Sequence, residues 1–327
     1  MANFYGSYIG YGSTGGGASY MYPKEGAGYV LHDEGIERVS MADDTTRTDW
    51  GNMLTAQRQA VGGNSSETHA FASGGYGPGS YTPNTADVVE TVAFAAGGTM
   101  VDAGDLPHHI RDMACCSSET YGYLHGGSRA ANDPSGAATK YNSIWRFEFA
   151  ASITTTDLGN LTTPDGSSLG RPTGQTDIAG GYGYCSGGYD GGYSNVIQRY
   201  EMSAGASALD VGDMASGHTM GSSGTSSETH GFVFGTYEGS STIMISKFLF
   251  ASSANATGNA DSTTYFFQSS GFSNPSYGYH AGGGTGGTHH QNIVTKYATA
   301  SETNAVASGT MTQSAGYMGP TSCEASV

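Results

Sequence analysis

The chain is short of positive charge. It has 12 lysines and arginines against 28 aspartates and glutamates in 327 residues, a formal net charge of -16. Binding to nucleic acid needs a basic face that displaces counterions from phosphates, and so few cations can hardly assemble one. Anionic membrane surfaces are disfavoured for the same reason; the acidity suits solubility and repulsion between copies. Cysteine is scarce too, with Cys115, Cys116, Cys185 and Cys323 only. The adjacent pair has poor geometry for a disulfide, and without a C-x-x-C pair a zinc knuckle has no support. Reduced, buried cysteines acting as small apolar residues are expected, as in a chain folded in a reducing cytosol. No window approaches the roughly 18 apolar residues of a membrane span. The opening "MANFYGSYIGYGSTGGG" has neither the basic nor the apolar region of a signal peptide, so if the protein leaves the cell, another route, such as lysis, is expected. Signatures of catalysis are missing as well: no G-x-S-x-G, no H-E-x-x-H and no phosphate loop.

What the chain has in quantity is glycine, 53 residues, and tyrosine, 22. Disordered Gly-rich chains are poor in aromatics, whereas here aromatics reach 11% and recur at regular places. Glycine then reads as turn and close-packing chemistry. The phrase "SSETHAFASGG" at 65–75 returns as "SSETYGYLHGG" at 117–127 and "SSETHGFVFGT" at 226–236. Reduced to a ring, a small residue, a ring and glycines, it also occurs from Tyr182 and Tyr277, and in weaker form as "YGSYIGY" from Tyr5. Strand alternation puts the flanking rings on one face and the small residue on the other. A small residue in every copy means that something passes close to the backbone there.

A second column is a strand with a basic residue: Arg38, Arg146, Arg199, Lys247 and Lys296 share one register, broken only by Thr91. Five of the 12 basic residues lie in it, which chance would not produce. A third column is a glycine followed by a small polar residue, at Gly51, Gly104, Gly159, Gly212, Gly258 and Gly309. Asp49, Asp102, Asp157 and Asp210 stand two residues before the first four of these. The second column repeats at spacings of 53, 55, 53, 48 and 49 residues. Six units of about four short strands each fill the chain, and no stretch carries a helical period with caps. A unit of that size matches a β-propeller blade.

The double glycine ending one strand ("ASGG"), the aromatic strand after it ("ETVAF") and the Gly-marked strand that follows ("DAGDL") resemble the kelch repeat. The resemblance spans nearly all of the chain but is loose in wording; the usual kelch tryptophan is missing from most blades, and only Trp50 sits near its place. The phrase as a whole is more similar to kelch-like proteins of marine tailed phages. The expected fold is all-β: a single kelch-like, six-bladed β-propeller over 1–327, closed by N- and C-terminal strands pairing in one blade. The C-terminal "SCEAS" parallels "SSETH", and the N-terminal "NFYGSYIGYGS" parallels the phrase that follows it. Such closure removes a free sheet edge. Residues 12–35 then form a protruding loop, with smaller insertions at 76–88 and 128–143; loops on one face of a repeat protein are the default place for binding.

Candidate chemistry has two readings at each point. Tyr5, His69, Tyr121, Tyr182, His230 and Tyr277 form either a polar aromatic ring able to stack a sugar or fillers of the wedges between blades. Tyr20, Tyr22 and Tyr29 add binding candidates on the protruding loop. Glu67, Glu119 and Glu228 would suit a cation, but the other blades lack them. The basic column serves either an anionic glycan or structural pairs with the third-column aspartates or the next blade's carbonyls. His108–His109 and His289–His290 are adjacent, so each pair points to opposite faces of a strand, which does not make two ligands for one metal. Asn64, Asn160 and Asn255 match a glycosylation pattern that means little without a secretory signal. No metal, cofactor or catalytic residue is expected. The phage resemblance implies a non-enzymatic virion component, in a tail, fibre, baseplate or vertex, made in the host cytoplasm. Its expected partners are other virion proteins, further copies of itself and host surface glycan, without nucleic acid or membrane insertion. The alternatives are a glycan-active lyase or oxidase and a cellular kelch-type interaction module.

Overall fold

A computed structural model describes residues 26–32, 35–44, 47–54, 61–75, 87–129, 140–162, 170, 172–189, 192–205, 207–215, 223–234, 243–263, 269–274, 276–283 and 290–316. These residues form six four-stranded sheets, antiparallel but for one short parallel pair, arranged in a ring as a six-bladed β-propeller, with a two-stranded ribbon of Ile110–Arg111 and Ser128–Arg129 beside them. Blade 2 shows the pattern: Gly62–Ser65, His69–Ser73, Val88–Ala93 and Val101–Asp105 pair in that order from inside outward. Blade 3 repeats it with Ala114–Ser117, Tyr121–His125, Ser143–Glu148 and Thr156–Asn160. Blades 4, 5 and 6 follow with the same four-strand order over 173–213, 223–261 and 270–316. Blade 1 consists of Ala27–His32, Gly35–Ser40 and Arg47–Asn52, with Gly98–Thr99 of blade 2 added in parallel outside.

The repeated wording has a physical cause at each column. In "SSET" the second serine closes the turn between the first two strands. Ser66 Oγ accepts from the backbone N–H of His69 at 3.0 Å, Ser118 Oγ from Tyr121 at 3.0 Å, and Ser227 Oγ from His230 at 3.1 Å. Asn274 Oδ1 does the same for Tyr277 at 2.8 Å. The small residue of the phrase lies under an aromatic ring of the neighbouring strand. Gly122 pairs with Phe147, Gly183 with Tyr200, Gly231 with Phe248 and Gly278 with Tyr297. A Cβ on Gly183 would stand 2.3 Å from the Tyr200 ring. Blade 2 has Val92 opposite, and there the small residue is Ala70. The double glycines end the strand with two successive positive φ angles, as at Gly126 (59°) and Gly127 (98°).

The third column marks a bulge. In all six blades the register between the third and fourth strands slips at the equivalent place, as at Ile144/Trp145 and Ile197/Gln198, and blade 6 has a second slip at Gln291/Ile293. Gly104 has φ 145°, and a Cβ there would meet the Ile153 carbonyl of the next blade at 2.7 Å. That closeness lets one blade bond to the next: Ile153 N–H donates to Ala103 O at 2.8 Å, and Ala256 N–H to Asp213 O at 2.7 Å.

The core lies between the blades. Six buried apolar clusters each straddle one pair of neighbours. Phe71 and Leu106 of blade 2 pack on Leu124, Trp145 and Phe147 of blade 3; Tyr184 of blade 4 packs on Phe248 and Phe250 of blade 5. Burial of such a side chain stabilises by about 1.5–3 kcal/mol. The sixth cluster joins Val30, Val39 and Met41 of blade 1 to Phe272, Tyr279 and Met311 of blade 6, which closes the ring. The pairing of the two chain ends expected from the sequence falls on residues outside the described ones.

Two expectations are corrected here. The phrase copy in blade 1 is not "YGSYIGY" from Tyr5 but Ala27-Gly28-Tyr29: Gly28 pairs with Val39 and Tyr29 with Arg38, the registers of Gly122 with Phe147 and Tyr123 with Arg146. The protruding loop therefore does not extend to residue 35, because Ala27–His32 is a blade strand; residues 12–25 lie outside the described ones.

Candidate functional site

The first-column residues sit one to a blade at the start of the second strand: Ala27, His69, Tyr121, Tyr182, His230 and Tyr277. They are spread around the ring by the repeat. Tyr121 and Tyr182 pack against the interblade clusters, as wedge fillers do. Tyr277 is the most open, 36% exposed. The basic column lies over these rings. The Arg146 guanidinium is 4.7 Å from the Tyr121 ring centre, Arg199 is 4.5 Å from Tyr182, and Lys296 Nζ is 4.6 Å from Tyr277. In blade 5 Lys247 Nζ is 5.9 Å from Phe232. Burial, and then the Lys247 charge, push the His230 pKa down.

Of the two structural pairings expected for the basic column, the carbonyl one occurs at Arg146, which donates to Met202 O of blade 4 at 3.3 Å. The third-column aspartates act otherwise: Asp102, Asp157 and Asp210 each accept from the N–H of the glycine two residues on, at 2.9 to 3.0 Å. The acidic partner of Lys296 is instead Asp44 of blade 1.

Tyr29 does not belong to a binding loop. It is 6% exposed and packs edge-on to Trp50 at 4.7 Å and beside Phe94 at 4.8 Å. Tyr5, Tyr20 and Tyr22 lie outside the described residues. His108 stacks on Tyr141 at 5.0 Å, while His109 Nε2 is 3.3 Å from Asp87. Among the described residues no three His, Cys, Asp or Glu side chains assemble as a metal site, and no helix is long and apolar enough to cross a membrane. Asn64 is buried, with its Nδ2 donating to Cys116 O of blade 3 at 2.7 Å; it ties two inner strands together.

One buried polar group was not anticipated from the sequence. His125 Nε2 is 2.5 Å from the Tyr200 hydroxyl, which lies 3.1 Å from Cys116 Sγ. Burial holds the His125 pKa down at about 3 and pushes Tyr200 well above the usual phenol range. The only sequence signal was His125 standing where other copies of the phrase have a small or apolar residue.

Thr91, the one break in the basic column, lines a cavity of about 540 Å³ between blades 2 and 3. Phe71 and Phe149 line it too and stack on each other at 4.9 Å. Its polar lining includes Ser66, Thr68 and His69, with carboxylates from Glu67, Glu119 and Glu148. Thr68 Oγ1 and His69 Nδ1 share a hydrogen bond of 2.8 Å. A related groove of about 610 Å³ separates blades 3 and 4, and there Arg146 is part of the wall. No known family matches the chain, and no curated protein matches it.

Proposed function

We propose that the protein is a non-enzymatic component of a phage particle, a rigid kelch-like propeller that holds a host surface glycan in the groove between blades 2 and 3. The observation that carries the binding reading is the chemistry of that groove. Sugar rings present apolar C–H faces and a rim of hydroxyls; the half-buried Phe149 ring, backed by the buried Phe71, offers aromatic surface, with Thr68, His69, Glu119 and Glu148 as hydrogen-bonding groups beside it. A volume of about 540 Å³ is in the range of small-ligand sites. The assignment to a particle is supported by the likeness of the "SSETH" phrase to kelch-like proteins of marine tailed phages. Neighbouring virion proteins, or further copies of this chain, would hold the propeller in place.

Two measurements test the reading. Mass spectrometry of purified particles should find the protein in stoichiometric amount; its absence there removes the virion role. A glycan array probed with the purified protein should show binding that is lost when Phe149 is replaced by alanine. A protein that folds and binds no glycan refutes the attachment role.

A further inference from the structure

Resting on that reading, we infer that the glycan is an acidic one, whose carboxylate is taken by Arg146 in the groove between blades 3 and 4. The repeat supplies the comparison. At the junction of blades 6 and 1, Lys296 lies 4.6 Å over the Tyr277 ring and forms an ion pair with Asp44. The other oxygen of that carboxylate accepts from the Tyr279 hydroxyl at 3.0 Å. The groove between blades 3 and 4 repeats the cation and both rings. Arg146 lies 4.7 Å over Tyr121, and Tyr123 is opposite Arg146 just as Tyr279 is opposite Lys296. The connection from third to fourth strand has one length in every blade, so that Arg38 pairs with Thr48 as Arg199 does with Leu209. Gly205 of blade 4 therefore holds the place of Asp44. Here the repeat keeps its cation and omits its acid.

A cavity of about 610 Å³ opens at that place, lined by Arg146 and Tyr121 with the hydroxyl side chains Ser118, Thr120 and Ser203. Arg146 is half-buried, and among the described residues no carboxylate pairs with it. Tyr123 gives its hydroxyl proton to Met202 O at 2.9 Å, so the guanidinium is the group that faces a ligand. Arg146 donates to the same carbonyl through Nη1 at 3.3 Å. Stacking on Tyr121 holds its plane, and the rest of its N–H fork matches a flat carboxylate. The groove adjoins the one that takes the sugar face: Glu119 and Thr120 line both. An oligosaccharide laid over that turn sets one unit against Phe149 and the next against Arg146. The formal charge of -16 opposes an anion at long range. Screening over roughly 8 Å at physiological salt leaves the contact at Arg146 to decide.

The test is an array that carries oligogalacturonate and sialyllactose, each beside its methyl ester, with neutral and sulfated oligosaccharides, probed with the full chain. The free acids should bind about tenfold or more tightly than their esters, with affinity falling as salt rises. Arg146→Gln should erase that preference. Gly205→Asp should give Arg146 an internal partner, as Asp44 is to Lys296, and weaken the free acids while sparing the esters. Its Cβ would lie 3.2 Å from Leu158 O, so melting temperatures accompany both variants. The comparison of acid with ester on the unaltered protein stands even if a variant does not fold. Equal binding of acid and ester, lost in both with Phe149→Ala, would overturn the carboxylate inference and leave the glycan reading standing. A preference for the acids that survives Arg146→Gln would also overturn it, by placing the carboxylate elsewhere. So would a sulfated oligosaccharide bound ahead of the carboxylated ones. Binding of no glycan on the array would remove both readings.

Discussion

Lys296, on the third strand of blade 6, forms an ion pair with Asp44 of blade 1, and Tyr279 donates its hydroxyl proton to the same carboxylate at 3.0 Å. The blade 6–blade 1 junction is thus tied by charge where the other junctions use main-chain bonds from one blade to the next. Two further polar ties lie beside it: Arg47 Nη2 donates to Ser308 O at 2.8 Å, and Thr312 N–H donates to Glu37 at 2.9 Å. Replacing Asp44 by asparagine should leave Lys296 uncompensated in a largely buried setting. A loss of about 1–3 kcal/mol is expected, measured by urea unfolding. Asp44→Asn with wild-type stability would show that apolar packing alone closes the ring.

Acid should destabilise the protein through two buried histidines. Burial lowers the folded-state pKa of both His125 and His280 to about 3, against a usual value of 6.5. Between those values the unfolded chain binds protons that the folded protein does not, so stability rises with pH across the window and is lost as pH falls from about 6.5 towards about 3. The loss amounts to roughly 2 kcal/mol for each histidine by pH 5. Burial raises the pKa of Asp177, which works in the opposite direction at acid pH. Urea midpoints measured between pH 7.5 and 4.5 should fall steadily, while NMR should show both imidazoles neutral at pH 5 in the folded protein. A flat profile, or a charged imidazole at pH 5, would contradict the burial described here.

Gly183→Ala should be costly although it adds one methyl group. Its Cβ would lie 2.3 Å from the Tyr200 ring, which is fully enclosed and bonded to His125. Displacing that ring should cost about 1–3 kcal/mol, read as a shift in the urea midpoint. Ala70→Gly, the reverse exchange opposite Val92, removes a small contact and should cost about 1 kcal/mol or less. Equal effects of the two would mean that the cross-strand ring does not dictate the small residue.

Much of the architecture was legible because the repeat is written in positions whose physics is local. The double glycines that end the phrase take positive φ in blades 2, 3, 4 and 6 alike, and a serine placed before Glu-Thr closes its own hairpin. The blade 1 copy was misplaced because "AGYVLH" has alanine for the first ring, while "YGSYIGY" imitates the phrase more closely in composition. Only strand pairing decides between them, and Gly28 opposite Val39 does so. The partner of the third-column aspartates was misread for a similar reason. A carboxylate near a basic column suggests an ion pair, but the bulge turns Asp102, Asp157 and Asp210 back onto their own glycines.

The sequence by itself determined the number of blades and the repeated strands of blades 2 to 6, since alternation and glycine spacing act over a few residues. The tertiary structure alone decided what the irregularities mean. Thr91 is a plain break in a column until blade 3 brings Glu119, Glu148 and Phe149 up beside it. Asp44 is an ordinary surface aspartate until the closing ring sets it against Lys296, more than two hundred residues away along the chain. Contacts of that kind depend on where six separate sheets come to rest against each other, and no local pattern encodes that.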